Sequence, residues 1–253
     1  MSKINKTFYA LDIPEFKESF TFALASDLHS QDAHEVIEIL REDSPDFILM
    51  PGDIFDRLGG FCEDINGNGF ELLRESALIA PSFYSIGNHE NGGVHSWQRG
   101  WKKKTIPSQC RREDVERIEK MGVCFLDDRY VIKNGIAFGG LTSGLINEGN
   151  RPHLEWLDEF CSLGYPKILL CHHPEYYTEY LKDRDISLIV SGHAHGGQWR
   201  LFGRGVFAPG QGLFPKYTSG VHDGRFVVSK GLCKSGFIPR IFNQRELIFI
   251  KIN

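Results

Sequence analysis

Five largely apolar runs in this 253-residue chain each stop at a short loop that carries aspartate, asparagine or histidine. Phe20 to Ala25 leads to Asp27-Leu28-His29, Phe47 to Met50 to Gly52-Asp53, and Ser82 to Ile86 to Gly87-Asn88-His89-Glu90. Further on, Lys167 to Cys171 leads to His172-His173-Pro174, and Ile186 to Val190 to Gly192-His193-Ala194-His195-Gly196. Runs of that length next to glycine and proline read as buried strands. In a layered α/β fold the carboxyl ends of neighbouring strands share one rim, so loops far apart in sequence converge there. The chain is thereby restricted to folds whose strand ends build a common polar site.

Helical spacing fills the gaps between these runs. Asp32 and Glu35 predict a capping box for a helix carrying Val36, Ile37 and Leu40. A second helix is expected over Phe70 to Ala80, a third over Arg112 to Met121 with Val115 and Ile118, and a fourth opened by Pro152 with Leu154, Leu157 and Phe160. Val123 to Leu126 and Ile136 to Leu141 read as strands, with Asn134-Gly135 as a hairpin turn. Beyond Gly196 the helical pattern gives way to glycine, proline and aromatic residues, ending in the runs Phe226 to Ser229 and Leu247 to Ile252. Helices among strands, followed by a β-rich end, predict an α/β chain of two sheets packed face to face with helices outside. Neither an internal repeat nor a linker divides it, so residues 1–253 read as one domain.

Composition narrows the function classes. Hydrophobic residues at 41% and charged residues at 25% fit a soluble globular chain. A net charge of -4 gives no reason to expect a stable nucleic-acid complex. The residues before Pro14 contain no apolar run of secretory or membrane-spanning type, so a cytoplasmic location is expected, with peripheral membrane contact left open. Cys62, Cys110, Cys124, Cys161, Cys171 and Cys233 form no C-x-x-C pair, which excludes zinc-ribbon and thioredoxin-like readings and leaves reduced, mostly buried thiols.

The strand-end loops hold the chemistry. Asp27 and His29 lie two apart on what reads as extended chain, so both side chains would project to one side and could take one cation. His193 and His195 obey the same spacing, between glycines that permit sharp turns. Mixed carboxylate, imidazole and amide ligands suit manganese, iron or zinc. Singly, each piece has a plainer reading: Asp-x-His as a helix cap with a surface histidine, Gly-Asp and Gly-Asn as turns. Five such pieces in order, each at a strand end, are poorly explained by coincidence.

The series Asp-x-His, Gly-Asp-x-x-Asp, Gly-Asn-His-Glu, His-His-Pro and Gly-His-x-His resembles the calcineurin-like metallophosphoesterases, from about Phe22 to Gln198. The stretch Gly-His-Ala-His-Gly-Gly-Gln, with Phe214-Pro215-Lys216-Tyr217 and Ser229-Lys230-Gly231-Leu232, resembles their bacterial phosphodiesterase-like branch. The resemblance implies a four-layer sandwich of two mixed β-sheets flanked by helices. It also implies two divalent metal ions, with Asp27, His29 and His195 on the first, Asn88, His172 and His193 on the second, and Asp53 bridging both. The implied reaction is hydrolysis of a phosphodiester or pyrophosphate bond by a hydroxide bridging the metals, with His89 donating to the leaving oxygen and Asp56 orienting His89. The alternatives are a phosphomonoesterase or protein phosphatase, and a non-catalytic scaffold of the same fold. Where many relatives carry an Asp-rich loop, this chain has Gly140-Leu141-Thr142-Ser143-Gly144, so substrate contacts from that loop are not implied.

Several other motifs were weighed. Asp64 to Gly69 with Glu75 has the spacing of a calcium loop, but Glu71 stands where an apolar side chain normally packs, and the stretch reads as a polar loop. A dinucleotide fingerprint, a phosphate-binding P-loop and a nucleophile elbow are all absent. Trp97 to Arg112, with Lys102, Lys103, Lys104 and Arg111, reads as a solvated basic loop, the other reading being a phosphate clamp. Phe202, Phe207, Phe214, Phe237 and Ile238 are assigned to core packing in preference to a substrate groove.

Overall fold

The computed structural model describes residues 3–56, 67–90, 112–143, 151–234 and 239–253. Its first half contains β1 (Asn5–Leu11), β2 (Thr21–Leu24), α1 (His34–Asp43), β3 (Phe47–Pro51), α2 (Asn68–Ile79), β4 (Ser82–Ser85), α3 (Arg112–Lys120) and β5 (Cys124–Leu126). Next come β6 (Arg129–Lys133), β7 (Ile136–Leu141), α4 (Leu157–Cys161), β8 (Lys167–Cys171) and β9 (Leu188–Ser191). Two small hairpins follow, β10 (Arg200–Leu201) with β11 (Arg204–Gly205) and β12 (Phe207–Ala208) with β13 (Gly212–Leu213). The chain ends with β14 (Gly220–His222), β15 (Phe226–Val228) and β16 (Glu246–Ile252).

Two six-stranded sheets organise these elements, in the orders β1-β16-β2-β3-β4-β5 and β14-β15-β9-β8-β7-β6. Strands β2 to β5 run parallel, as do β7, β8, β9 and β15, while β16 is antiparallel to β2 and β6 and β14 are antiparallel edges. Side-chain alternation sorts the strands into two faces. Phe22, Leu24, Phe47, Leu49 and Phe83 meet Phe138, Ile168, Leu170 and Val190 between the sheets. The residues in between, Ala23, Ile48, Met50 and Tyr84, turn outward beneath Val36, Leu40, Leu72, Leu73 and Ile118 of the first three helices. On the far side, Ala137, Leu169 and Ile189 pack under Leu157 and Phe160 of α4 and under Tyr177 and Leu181 of a π-helical turn. The result is the expected four-layer sandwich, and its central strands, buried on both faces, read as continuous apolar runs for that reason.

The departures are local. No capping box forms: Asp32 accepts from His34 N at 2.9 Å, while Glu35 turns away to accept from Ile4 N at 2.8 Å and from Arg245 Nη2 at 3.1 Å. Helix α4 begins only at Leu157, so Pro152 does not open it. Strands β1 and β6 had no clear signal, since both are edges with largely polar or half-exposed side chains. Phe202 and Phe214 are not core residues but lie exposed at hairpin and loop tips, and Phe207 is 37% exposed. Two-residue strands cannot impose the alternation that would have turned them inward. The Asp64 to Asn66 part of the calcium-like loop, residues 97–111, Cys62, Cys110, Phe237 and Ile238 lie outside the described residues. Among the described residues no helix is long and apolar enough to cross a membrane.

Phe83 and Phe138 stack across the inter-sheet layer with ring centroids 3.7 Å apart. Phe138→Ala is therefore expected to cost about 3–5 kcal/mol, read as a lower urea midpoint at unchanged m-value. A loss under about 1 kcal/mol would show that this layer is not closely packed.

Candidate metal centre

The parallel strands β2, β3 and β4 end on one rim, and their loops continue the pairing. Asp27 N donates to Gly52 O at 3.2 Å, His29 N to Asp53 O at 3.0 Å and Ser30 N to Ile54 O at 2.9 Å. Strands β8 and β9 of the other sheet deliver His172 and His193 to the same place. His193 N donates to both carboxylate oxygens of Asp27, at 3.0 and 3.2 Å, which ties the two sheets together at the site.

The loops are not extended as the spacing of Asp27 and His29 had suggested. Asp27 (φ 55°), His29 (φ 52°), Asp53 (φ 53°), His193 (φ 66°) and His195 (φ 45°) all adopt left-handed backbone. Aspartate and histidine tolerate that region better than most residues, yet each instance costs of the order of 1 kcal/mol or more. Tight turns, instead of strand alternation, swing the five side chains inward. Neighbouring glycines make the room: a Cβ on Gly87 would lie 2.2 Å from Asp53 Oδ1, and one on Gly192 would lie 2.3 Å from Asp27 Oδ2.

At the middle lies Asp53, 1% exposed. Its Oδ1 accepts from His89 N at 2.9 Å. Its Oδ2 faces His172 Nε2 at 3.1 Å, His89 Nε2 at 3.8 Å and His29 Nε2 at 3.9 Å. His195 Nε2 lies 3.8 Å from Asp27 Oδ1. Single donor atoms of Asp27, His29 and Asp53 lie within 4.8 Å of one another, and so do those of Asp53, His172 and His193, so Asp53 belongs to both groups. Four atoms in this region, His29 Nε2, Asp53 Oδ2, Asn88 Oδ1 and His172 Nε2, are buried without a hydrogen bond. Each such omission ordinarily costs roughly 1–3 kcal/mol. Unpaired nitrogen and oxygen lone pairs gathered around one carboxylate fit divalent cations of the mixed-ligand type.

Protonation follows the geometry. His172 Nδ1 donates to Pro51 O at 2.7 Å, which leaves Nε2 to face the centre. Burial and the neighbouring imidazoles hold His29 and His193 well below the ordinary histidine range. For His172 burial also pulls downward, but Asp53 outweighs it and raises the ring to about 10. Burial would raise Asp53, yet His172 and His89 hold it well below the usual carboxylate range. At His89 burial is overcome by Asp53 and Asp56, so the ring sits above its ordinary value. Asp56 Oδ1 is 3.4 Å from His89 Nδ1, which also lies 3.2 Å from His29 Nδ1.

Three participants carried no assigned role in the sequence. Glu90, fully buried, accepts from Asp53 N at 3.0 Å, Phe55 N at 3.1 Å and Gly87 N at 2.8 Å, and so anchors the β3 and β4 loops to each other. Its place in Gly-Asn-His-Glu was the available signal. Glu175 Oε1 lies 3.0 Å from His173 Nδ1 and 4.0 Å from His193 Nε2. Cys233 Sγ lies 3.5 Å from His195 Nδ1, with no sequence signal beyond an isolated cysteine.

A family model described as calcineurin-like phosphoesterase matches residues 20–197, most of the chain and all of these loops. The chain belongs to the calcineurin-like phosphoesterase family. Among curated relatives it is 27% identical over 248 residues to a Caenorhabditis elegans protein named as a metallophosphoesterase, covering 91% of this chain and 48% of that protein. It is 24% identical over 168 residues to phosphodiesterase YaeI of Escherichia coli, covering 63% of this chain and 52% of that protein. A Danio rerio transmembrane protein with metallophosphoesterase domain is 24% identical over 206 residues, covering 74% of this chain and 42% of that protein. The chain spans about half the length of the curated relatives it matches. Among solved structures, TT1561 of Thermus thermophilus superposes with a TM-score of 0.48 at 15% identity, covering 69% of this chain and 82% of that one.

For this family member Gly87→Ala should drive a methyl group into Asp53 and lower the metal content recovered by elemental analysis, with far-UV circular dichroism unchanged. Full metal occupancy in that variant would mean that Asp53 is not fixed where the geometry puts it.

Proposed function

We propose that this chain, acting as one domain over residues 1–253, hydrolyses a phosphodiester or pyrophosphate bond with the help of two divalent cations. Asp27, His29 and His195 would hold one, Asn88, His172 and His193 the other, and Asp53 would be shared, with manganese, iron or zinc as candidates for such a donor set. The observation that carries the reading is the set of buried lone pairs around Asp53 Oδ2 that no hydrogen bond satisfies. When bound, the ions supply Lewis acidity, polarising a phosphoryl oxygen and lowering the pKa of water.

The remaining tasks belong to the chain. His89 is 20% exposed, with its Nε2 on the Asp53 side and its Nδ1 between His29 Nδ1 at 3.2 Å and Asp56 Oδ1 at 3.4 Å, and the two carboxylates push its pKa upward. In this reading it would hand a proton to the oxygen that leaves phosphorus. An alkoxide or phosphate leaving from a diester or anhydride requires such a donor. That a relative is named a phosphodiesterase supports the same substrate class.

His89→Ala in metal-loaded protein is expected to lower kcat on glycerophosphoglycerol, whose leaving group is an alkoxide, by about 10²–10⁴, with metal content retained and a smaller effect on the activated diester bis(p-nitrophenyl) phosphate. An unchanged kcat would remove His89 from the reaction. Faster turnover of p-nitrophenyl phosphate than of the diester by the unaltered chain would move the assignment to a phosphomonoesterase.

A further inference from the structure

Phe202 lies fully exposed, Phe242 is 82% and Phe214 79% exposed, and all three have left-handed backbone, at φ 49°, 52° and 52°. A bulky residue in that region is a conformational outlier. Phe202 and Gly203 form the two-residue turn between β10 and β11, a place where asparagine is strongly preferred before glycine. Folding gains little from these side chains, since they bury little area and strain the turns that carry them.

The three tips are carried by backbone segments that pair with one another. Phe214 N donates to Val206 O at 2.9 Å, Val206 N to Trp199 O at 2.9 Å, and Trp199 pairs with Ile241, the neighbour of Phe242. Leu201 and Leu213 are exposed alongside them, at 54% and 71%. This surface adjoins the metal centre: Asn243 Nδ2 donates to His195 O at 2.6 Å, and Arg200 Nη1 to Gly196 O at 2.9 Å.

Its segments are basic in sequence, with Glu175 against Gly210 and Asp223 near Lys216 at their margin. Residues 199–217 contain Arg200, Arg204 and Lys216 and no aspartate or glutamate, in a chain whose net charge is -4. Residues 225–245 also lack acidic side chains. Arg204, Lys216 and Lys234 are exposed and form no ion pair among the described residues. Apolar tips with exposed cations on the same segments complement an anionic bilayer, where rings enter the interface and cations meet the headgroups.

We propose that Phe202, Phe214 and Phe242, with Arg204, Lys216 and Lys234, dock this face on an anionic lipid surface and so present the His195 side of the centre to phosphate groups lying there. None of these residues is a proposed metal ligand, so docking and hydrolysis are tested separately.

The test is co-sedimentation of the full chain with vesicles of pure phosphatidylcholine and of phosphatidylcholine mixed with phosphatidylglycerol. The chain is expected to bind the anionic vesicles roughly tenfold or more tightly. The F202S/F214S/F242S variant should lose that binding while its circular dichroism and its turnover of a soluble diester stay unchanged. Wild-type protein remaining in the supernatant with both vesicles, or the variant sedimenting as wild type does, would overturn the proposal. Failure to bind vesicles together with a concentration-dependent dimer that the variant abolishes would also overturn it, identifying a second copy as the occupant.

Discussion

A carboxylate withdrawn from water needs donors or positive charge around it. Asp53 satisfies one oxygen with a single backbone amide and leaves the other facing three imidazoles at distances of 3.1 to 3.9 Å. Burial and the neighbouring Asp53 raise the pKa of a second buried carboxylate, Glu90, and Asp27 adds a third buried acid nearby. The site therefore gathers three buried carboxylates and several unsatisfied polar atoms in one small volume. In the proposed reading, divalent cations shared through Asp53 would compensate for both, which is why that chemistry follows from this one side chain.

The fold serves that arrangement at a local cost. Inter-sheet packing brings the carboxyl ends of β2, β3 and β4 against those of β8 and β9, and His193 N bonded to Asp27 joins the two rims. Left-handed backbone at five of the seven proposed ligands turns the side chains inward. Such strain persists only where the surroundings hold it. Here the β3 and β4 loops are pinned by Glu90, and the loop around Asp27 by Cys233 N donating to Asp27 O at 2.8 Å.

Much of this was legible in the sequence because doubly buried parallel strands leave uninterrupted apolar runs, and because aspartate, asparagine and histidine stood directly after them. The edge strands β1 and β6 left weaker traces, having one polar face each. Asp27 and His29 do come together, but through a turn and not the extended chain their spacing suggests, since both can place residues two apart on one side. Glu35 looked like half of a capping box because sequence proximity favours that partner, but Arg245, far along the chain, takes its carboxylate instead. Cys233 was opaque for a related reason: its contact with His195 depends on tertiary packing that no local pattern announces. The exposed phenylalanines were misjudged because residue type argues for burial, whereas very short hairpins decide exposure by their turns.

The shared carboxylate is tested most directly by titrating the metal-free chain with Mn²⁺ and reading stoichiometry calorimetrically, for the native sequence and for Asp53→Asn. The account predicts two ions per chain for the native sequence and loss of tight binding at both positions in the variant. Two ions bound with unchanged affinity after Asp53→Asn would contradict it.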